Sequence, residues 1–290
     1  MGNPSWREVA RYRTAVLTRH RVRTKRAALA FVNHLGFCYA FTSGPGGLPG
    51  LFDVLATRSV DRRWEWAWQW KDELAAEKKL LYGKVIRRKP TYVSLRFVPH
   101  FFTLTGNAGE ADDYMQAYRD GRLSLLAREI YEHVREHGPC STWMLRKQFV
   151  SRGERGAALH HPAQGAAFHR ALSDLQGRFL ISKVGESERG SYSFIWDTFD
   201  RWLPQVVRAA GTITTARAAT EVLERYLRTT GAAPATEMTR LFDLSPRLLA
   251  DAEQALGGVA QRLAIDGDEA FVHTALLSWL RQRRAGAPRR

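Results

Sequence analysis

Cysteine is nearly absent from this chain of 290 residues, which has only Cys38 and Cys140. Two cysteines so far apart cannot build a disulfide framework, and no Cys-x-x-Cys or Cys/His spacing marks a metal site. A reducing compartment, the cytoplasm, is the natural expectation. No apolar run approaches the roughly 18 residues a membrane-spanning helix needs. The opening residues, with Trp6, Glu8 and scattered arginines, lack the apolar core of a signal peptide. Nucleotide fingerprints are missing as well. Residues 44–50 (GPGGLPG) have glycines, but no Lys-Ser or Lys-Thr follows as a phosphate-binding loop requires. No ordered Ser, His and Asp set occurs, and no cofactor or metal is expected.

Acidic residues are scarce in one place. Lys plus Arg number 44 against 29 Asp plus Glu, a net charge of +15. Residues 1–107 hold 19 of those cations against 7 acids, 108–204 hold 13 against 13, and 205–290 hold 12 against 9. An excess confined to the first third is the electrostatic footprint of a polyanion partner, where a codon bias toward Arg would spread evenly.

The central stretch runs from Trp64 to Leu95 and opens with Trp64, Trp66, Trp68 and Trp70. Tryptophan at every second position also suits a strand. The KDELAAEKKL that follows is strongly helix-forming, so the reading is a helix started by Ser59 or Asp61. Packing between elements is the expected role of the tryptophans, with base stacking as the alternative. Beyond the helix, β-formers flank Arg87-Arg88-Lys89-Pro90, which predicts a hairpin with a basic tip. Upstream, Thr24 is placed to cap a helix from Lys25 to Leu35, with Gly36 as its stop. Leu51 to Leu55 predict a second short helix. Helix, helix, helix, hairpin is the order of a winged helix.

The middle third repeats that order. Leu123, Leu126, Ala127, Ile130 and Val134 share a helical face. Ser141 or Thr142 caps a second helix, a candidate recognition helix covers 166–176, and FLISKV and SYSFIW flank the turn GESERG. The order then returns a third time. Gly138 to Phe149 and Gly231 to Phe242 are equally spaced, with Leu145 falling on Met238. Later, Phe168, Ala171 and Leu175 fall on Leu249, Ala252 and Leu256, and Asp266-Gly267-Asp268 turns a last hairpin. The expected fold class is α+β, mostly α, with three tandem winged-helix units. The expected boundaries are 1–107, 108–204 and 205–280, followed by a disordered basic tail at 281–290.

Residues 19–41 (RHRVRTKRAALAFVNHLGFCYAF), WEWAWQWKDEL and LLYGKVIRRKPTYVSL, together with the winged helices, resemble the AlkZ family of bacterial winged-helix DNA glycosylases. The resemblance spans most of the chain and implies a tandem winged-helix architecture that encloses duplex DNA. Active members carry Gln-x-Gln or Gln-x-Asp soon after the first helix, to position or activate the hydrolytic water. Here Cys38 and Ala40 stand at those positions, and neither can hold a water as an amide or carboxylate does. The β-barrel that some members add at the end is also missing.

Hydrolysis of an N-glycosidic bond needs a group that stabilises the developing sugar cation and orients water. Gln69 and Asp72 on the Trp helix, with Glu65, are the remaining candidates. Asp72 with Lys71 reads equally well as a surface pair. The expected DNA contacts are Arg19, Arg21, Arg23, Lys25 and Arg26, then Lys71, Lys84, Arg87, Arg88 and Lys89, then Arg146, Lys147 and Arg170. His160, His161 and His169 lie close in sequence, but no acid or Cys completes a metal set. The expected function is binding of duplex DNA, damaged or distorted, in repair, with catalysis left open by Cys38 and Ala40. The alternatives are an active glycosylase for alkylated or crosslinked bases and a winged-helix transcription regulator. No heptad or terminal dimerisation helix appears, so a monomer, cytoplasmic and nucleoid-associated, is expected.

Overall fold

The computed structural model describes residues 3–150, 162–187 and 192–285. In chain order the elements are α1 (Trp6–Thr18), α2 (Lys25–Leu35), β1 (Phe37–Tyr39), α3 (Val60–Ala76), β2 (Leu80–Ile86), β3 (Lys89–Ser94) and α4 (Val98–Leu104). There follow α5 (Asp113–Arg119), α6 (Leu125–His137), β4 (Cys140–Ser141), α7 (Thr142–Phe149), α8 (Pro162–Gly177), β5 (Ile181–Ser187) and β6 (Ser193–Thr198). The chain continues with α9 (Phe199–Trp202), α10 (Pro204–Ala210), α11 (Thr215–Thr230), β7 (Ala232–Ala233), α12 (Ala235–Phe242) and α13 (Pro246–Ala255). It finishes with β8 (Ala260–Ile265), β9 (Asp268–His273) and α14 (Thr274–Ala285).

The fold is α+β, mostly α, with three winged-helix segments. In the second, the short strand beside the helix-turn-helix pairs with the last strand of the wing, giving the order β4-β6-β5; the third repeats it as β7-β9-β8. The repeat read from the sequence is physical. Helices α7 and α12 are eight residues each, and Leu145 and Met238 are both fully buried. Phe168, Ala171 and Leu175 on α8, Leu249 and Ala252 on α13, and Leu256 just after it all lie in cores.

Local chemistry explains the borders. Thr24 accepts a hydrogen bond from the Ala27 amide and caps α2, which buries Ala28, Phe31, Val32 and Leu35 and stops at Gly36. Ser59 caps the Trp helix through the Arg62 amide at 3.1 Å. The second short helix proves to be a single 3-10 turn at Leu51–Val54. Helix α1 has no counterpart in the sequence reading. Its Ser5/Glu8 capping box starts it, and Val9 and Tyr12 are buried. At the other end, residues 281–285, expected as part of a disordered tail, continue α14. Arg284 pairs with Glu8 at 3.1 Å, which holds that last turn. Residues 286–290 lie outside the described residues, as do the Gly/Arg-rich loop 151–161 with His160 and His161, and the wing tip 188–191.

The chain's compact units follow a different division from the sequence segments. One unit combines residues 1–67 with 213–290, and the other is residues 68–212. In the first, Val9 and Tyr12 pack with Ala232, Ile265, Val272 and Leu276. Arg13 donates to the carbonyls of Thr230 and Ala232 at 2.9 and 3.0 Å, satisfying the last carbonyl of α11 and one of β7. In the second, Ile130, Val134, Leu145, Phe168, Leu175, Ile181 and Trp196 form the core.

Candidate nucleic-acid interface

The basic hairpin forms as the sequence predicts, with a tighter tip. Strands β2 and β3 pair from Leu80↔Ser94 to Ile86↔Lys89, with a bulge between Gly83 and Ile86. Only Arg87 and Arg88 make the turn, at φ 52° and 54°. Two successive left-handed residues match the right-handed twist of a hairpin, but side chains other than Gly, Asn and Asp adopt them at a cost. Arg87, Arg88 and Lys89 are all exposed. Arg88 pairs with Asp174 at 2.6 Å while remaining 62% exposed. Lys84 turns inward, its Nζ 3.0 Å from Ser173 Oγ. Burial lowers its pKa.

Those contacts also define the candidate recognition helix. Ser173, Asp174 and Gln176 of α8 hold Lys84 and Arg88, with Gln176 Oε1 accepting the Lys84 amide at 3.2 Å. The wing therefore covers the 173–176 part of α8. Toward the start of α8, His169 and Arg170 are exposed. Arg146 lies 3.1 Å from His169 Nε2, half-buried, and Lys147 is exposed with Nζ 5.4 Å from the Trp143 ring centre. Burial first, then Arg146 and Lys84, lowers the His169 pKa and keeps the ring neutral.

In the other compact unit, Arg19, Arg21, Arg23 and Arg26 are exposed and Lys25 is half-buried. Lys25 and Arg26 begin α2, whose first turn has no acid. Cations at the positive end of a helix raise its electrostatic energy, and a bound phosphate would relieve both the side chains and the open amides.

The Trp helix does not bury the tryptophans as a set. Its inward face is Ala67, Trp70, Lys71, Leu74 and Ala75, while Trp64 and Trp68 are each 48% exposed. Trp64 rests on Phe52, with ring centres 4.7 Å apart. Lys71, an expected DNA contact, has no exposed surface. Its Nζ is 2.5 Å from Asp72 Oδ1, 3.0 Å from Tyr192 Oη and 4.1 Å from the Trp68 ring centre. Lys183, equally buried, donates to the same Asp72 oxygen and to Glu186. Tyr192 donates to Asp72 Oδ2 at 2.7 Å. The Lys71–Asp72 pair is thus the centre of a buried network, where the sequence suited a surface pair.

The network sets its own charge. Burial lowers the Lys71 pKa, against which Asp72 works. Burial alone would raise the pKa of Asp72, but hydrogen bonds from Lys183, Lys71 and Tyr192 outweigh it and hold the carboxyl below its usual range. Burial, then the bond to Asp72, pushes the Tyr192 hydroxyl up, so it remains a donor. Gln69, the other catalytic candidate, is exposed and donates to Glu73 at 2.6 Å; Glu65 is exposed too.

Cys38 and Ala40 are fully buried in and just after β1. Burial first, then Asp53, raises the Cys38 pKa far above its ordinary value, so the thiol stays protonated. The nearby carboxylate, Asp53, accepts the amides of Ser43 and Gly50, both at 2.9 Å, and so braces the loop. Both cysteines are free. Among the described residues no His, Cys, Asp and Glu are grouped to hold a metal ion, and no helix is long and apolar enough to cross a membrane.

Residues 22–243 match the AlkZ-related family. The chain belongs to that family. Among solved structures it is similar to Streptomyces sahachiroi DNA glycosylase AlkZ, at 16% identity and a TM-score of 0.60, over 99% of this chain and 74% of that one. At that identity the likeness speaks for the fold. No curated protein matches the chain. For this AlkZ-related protein, the family match takes in both the Cys38–Ala40 stretch and the whole 84–89 wing. The sequence reading missed the Lys71, Asp72, Lys183 and Tyr192 network. Its partners lie 111 and 120 positions apart, and only the second-unit hairpin brings them together.

Proposed function

We propose that this AlkZ-related protein binds duplex DNA, damaged or distorted, in a repair role, without hydrolysing the glycosidic bond. The observation that carries the binding is the exposed Arg87-Arg88-Lys89 tip. It keeps two arginines in left-handed backbone where smaller residues would cost less. Strain retained beside exposed charge is a reason to look for function. The Arg19–Arg26 cluster supplies further phosphate contacts, with Arg146, Lys147 and Arg170 on the helices of the second segment. Lys71 is left out of this set because its ammonium is enclosed.

The non-catalytic part of the reading rests on Cys38 and Ala40. Both are sealed from solvent, and neither offers an amide or carboxylate to a water. One observation favours an active glycosylase instead. Asp72 is held ionised, and a fixed carboxylate suits a developing sugar cation. Both its oxygens, however, already accept from Lys71, Lys183 and Tyr192. A regulator that reads an operator with α8 is less favoured, because the wing covers residues 173–176.

The test is one assay with two readouts: binding of a fluorescent duplex with and without an alkylated purine, then heat and alkali to reveal abasic sites. Binding that weakens steeply with salt, without strand scission, supports the proposal. Scission well above a protein-free control would make the protein a glycosylase. Absence of binding at low salt would overturn both readings.

A further inference from the structure

We infer that His20 and His34, with Arg19 and Arg228, form a binding site for one phosphate of the DNA backbone. The inference rests on the DNA-binding reading above, whose contacts are lysines and arginines of fixed charge, and adds a contact that depends on pH.

Three elements of one compact unit bring these residues together. His20 lies just past the end of α1, and His34 is in the last turn of α2. Their ring centres are 5.1 Å apart, and the His20 ring also packs at 72° against Phe31. From α11, Arg225 Nη1 donates to the His34 carbonyl at 2.9 Å, which fixes that helix against the end of α2. Arg228 follows three positions later, on the same side of α11. Arg19, His34 and Arg228 are exposed and His20 is half-buried.

The charge of the cluster is one-sided. The groups that act on His20 are His34 and Arg19, and those that act on His34 are Arg225, Arg228 and Arg19. The acids of α11 have other work. Glu224 lies 3.7 Å from Arg228 and 3.5 Å from His273, and Glu221 pairs with Arg217 at 2.9 Å. Tyr12 of α1 donates its hydroxyl to the Arg228 carbonyl at 2.7 Å, and burial raises its pKa, so it adds no negative charge. Burial first, then the neighbouring imidazole and guanidiniums, lowers the pKa of both histidines and keeps the rings neutral near pH 7.

Two neutral imidazoles also suit a metal, but the guanidiniums repel a cation. Among the described residues no third His, Cys, Asp or Glu completes a set with them. An anion fits better. A phosphate accepts charge-assisted hydrogen bonds from the guanidiniums and from a protonated ring. Its charge raises the pKa of the imidazoles it touches, and the helix ends where both lie favour the protonated form. Binding therefore takes up a proton, and by reciprocity a proton tightens binding. The exposed Arg21, Arg23 and Arg26 beside the cluster suit a row of phosphates, which favours a DNA backbone over a free ion.

Anisotropy titrations of the full-length protein with a paired duplex at about pH 8 and about pH 6, at one ionic strength, test this. Affinity should be about tenfold tighter at the lower pH, the linkage expected for about one proton taken up. Calorimetry in two buffers of different ionisation enthalpy should count that proton. His20→Gln with His34→Gln should remove the dependence. Because His20 packs on Phe31, His34→Gln alone, at an exposed ring, guards against a folding defect and should remove most of it. His169→Gln, in the other compact unit, should keep it. Inorganic phosphate titrated alone should bind far more weakly than the duplex, and tighter binding of the free ion would overturn the assignment to DNA. Equal duplex affinity at the two pH values would overturn the site and leave the DNA reading standing. So would a dependence that survives loss of both histidines or vanishes with His169→Gln. If no duplex binds at either pH, both fall.

Discussion

The hairpin of β2 and β3 and the hairpin of β8 and β9 each reverse over two residues at positive φ, Arg87 and Arg88 in one, Asp266 and Gly267 in the other. Asp-Gly adopts this turn at little cost, whereas two arginines pay a steric penalty of about 1 kcal/mol each. The roots differ as much as the tips. Tyr82 of the first hairpin lies over buried Lys71 and Lys183, which Asp72 and Glu186 neutralise. The last hairpin carries its ions outside, where half-exposed Arg262 pairs with Glu253 and Glu269 at 2.7 and 2.6 Å. The same backbone device thus serves two ends. One hairpin turns on residues that adopt its geometry at little cost, and the other combines a strained tip of exposed cations with desolvated charge at its root.

Charge reversal of the basic tip, R87E/R88E/K89E, should break the comparison most visibly. Duplex affinity at low salt is expected to fall by more than about a hundredfold, since several phosphate contacts are lost together. R87E/K89E separates this from disruption of the Arg88–Asp174 pair and should still lose most of the affinity. Anisotropy titration checks both, and unchanged binding at moderate salt would remove the wing from the interface.

Asp72→Asn tests the root. It leaves two buried ammoniums facing Glu186 alone and should lower stability by about 3 kcal/mol in urea unfolding. Glu253→Gln, on the exposed pair of the last hairpin, should change it by less than about 1 kcal/mol. The pH dependence has a definite sign. Asp72 is held below its usual pKa in the folded protein, so the unfolded chain binds more protons as pH falls. Its contribution is therefore complete above about pH 4 and lost as pH drops through the folded value. The Asn variant should lack that portion of the acid transition.

R87N/R88G gives the first tip the preferred residues of such a turn. Stability should rise by about 1 kcal/mol while DNA affinity drops about tenfold, a split that thermal melts and titrations read together. The smallest effect on DNA binding belongs to the last tip. Gly267→Ala should lose about 1 kcal/mol through its φ of 98° alone, because an added Cβ meets nothing within 4 Å. DNA binding should stay unchanged.

The sequence made much of this legible where a local rule decides. Thr24, the Ala28-Phe31-Val32-Leu35 face and Gly36 define α2 without help from the rest of the chain. The Leu145/Met238 correspondence exposed the repeat because core positions are spaced by the motif. The tryptophans misled for a physical reason. Four large aromatics imply a buried face, yet the face of α3 that packs runs through Ala67, Lys71 and Leu74, with a lysine at its middle. A buried cation is readable only when its counter-ions are known, and Lys183, Glu186 and Tyr192 come from a distant hairpin. The Arg-rich first residues hid α1 because the long charged side chains mask the few apolar positions, Val9 and Tyr12, that hold it. Among the catalytic candidates, the environment of Asp72 was invisible for the same reason as that of Lys71, while the poverty of Cys38 and Ala40 as water ligands was plain from the residue types.

The way one compact unit draws on both ends of the chain has a consequence for synthesis. Residues 1–67 leave the ribosome first, but the partners of Val9, Tyr12 and Arg13 lie beyond residue 213 and arrive last. The middle unit is continuous in sequence and is complete while those first helices still wait. During that interval the apolar side of α1, with Val9 and Tyr12, lacks its native cover, so this stretch is the part of the chain most open to non-native association before synthesis ends.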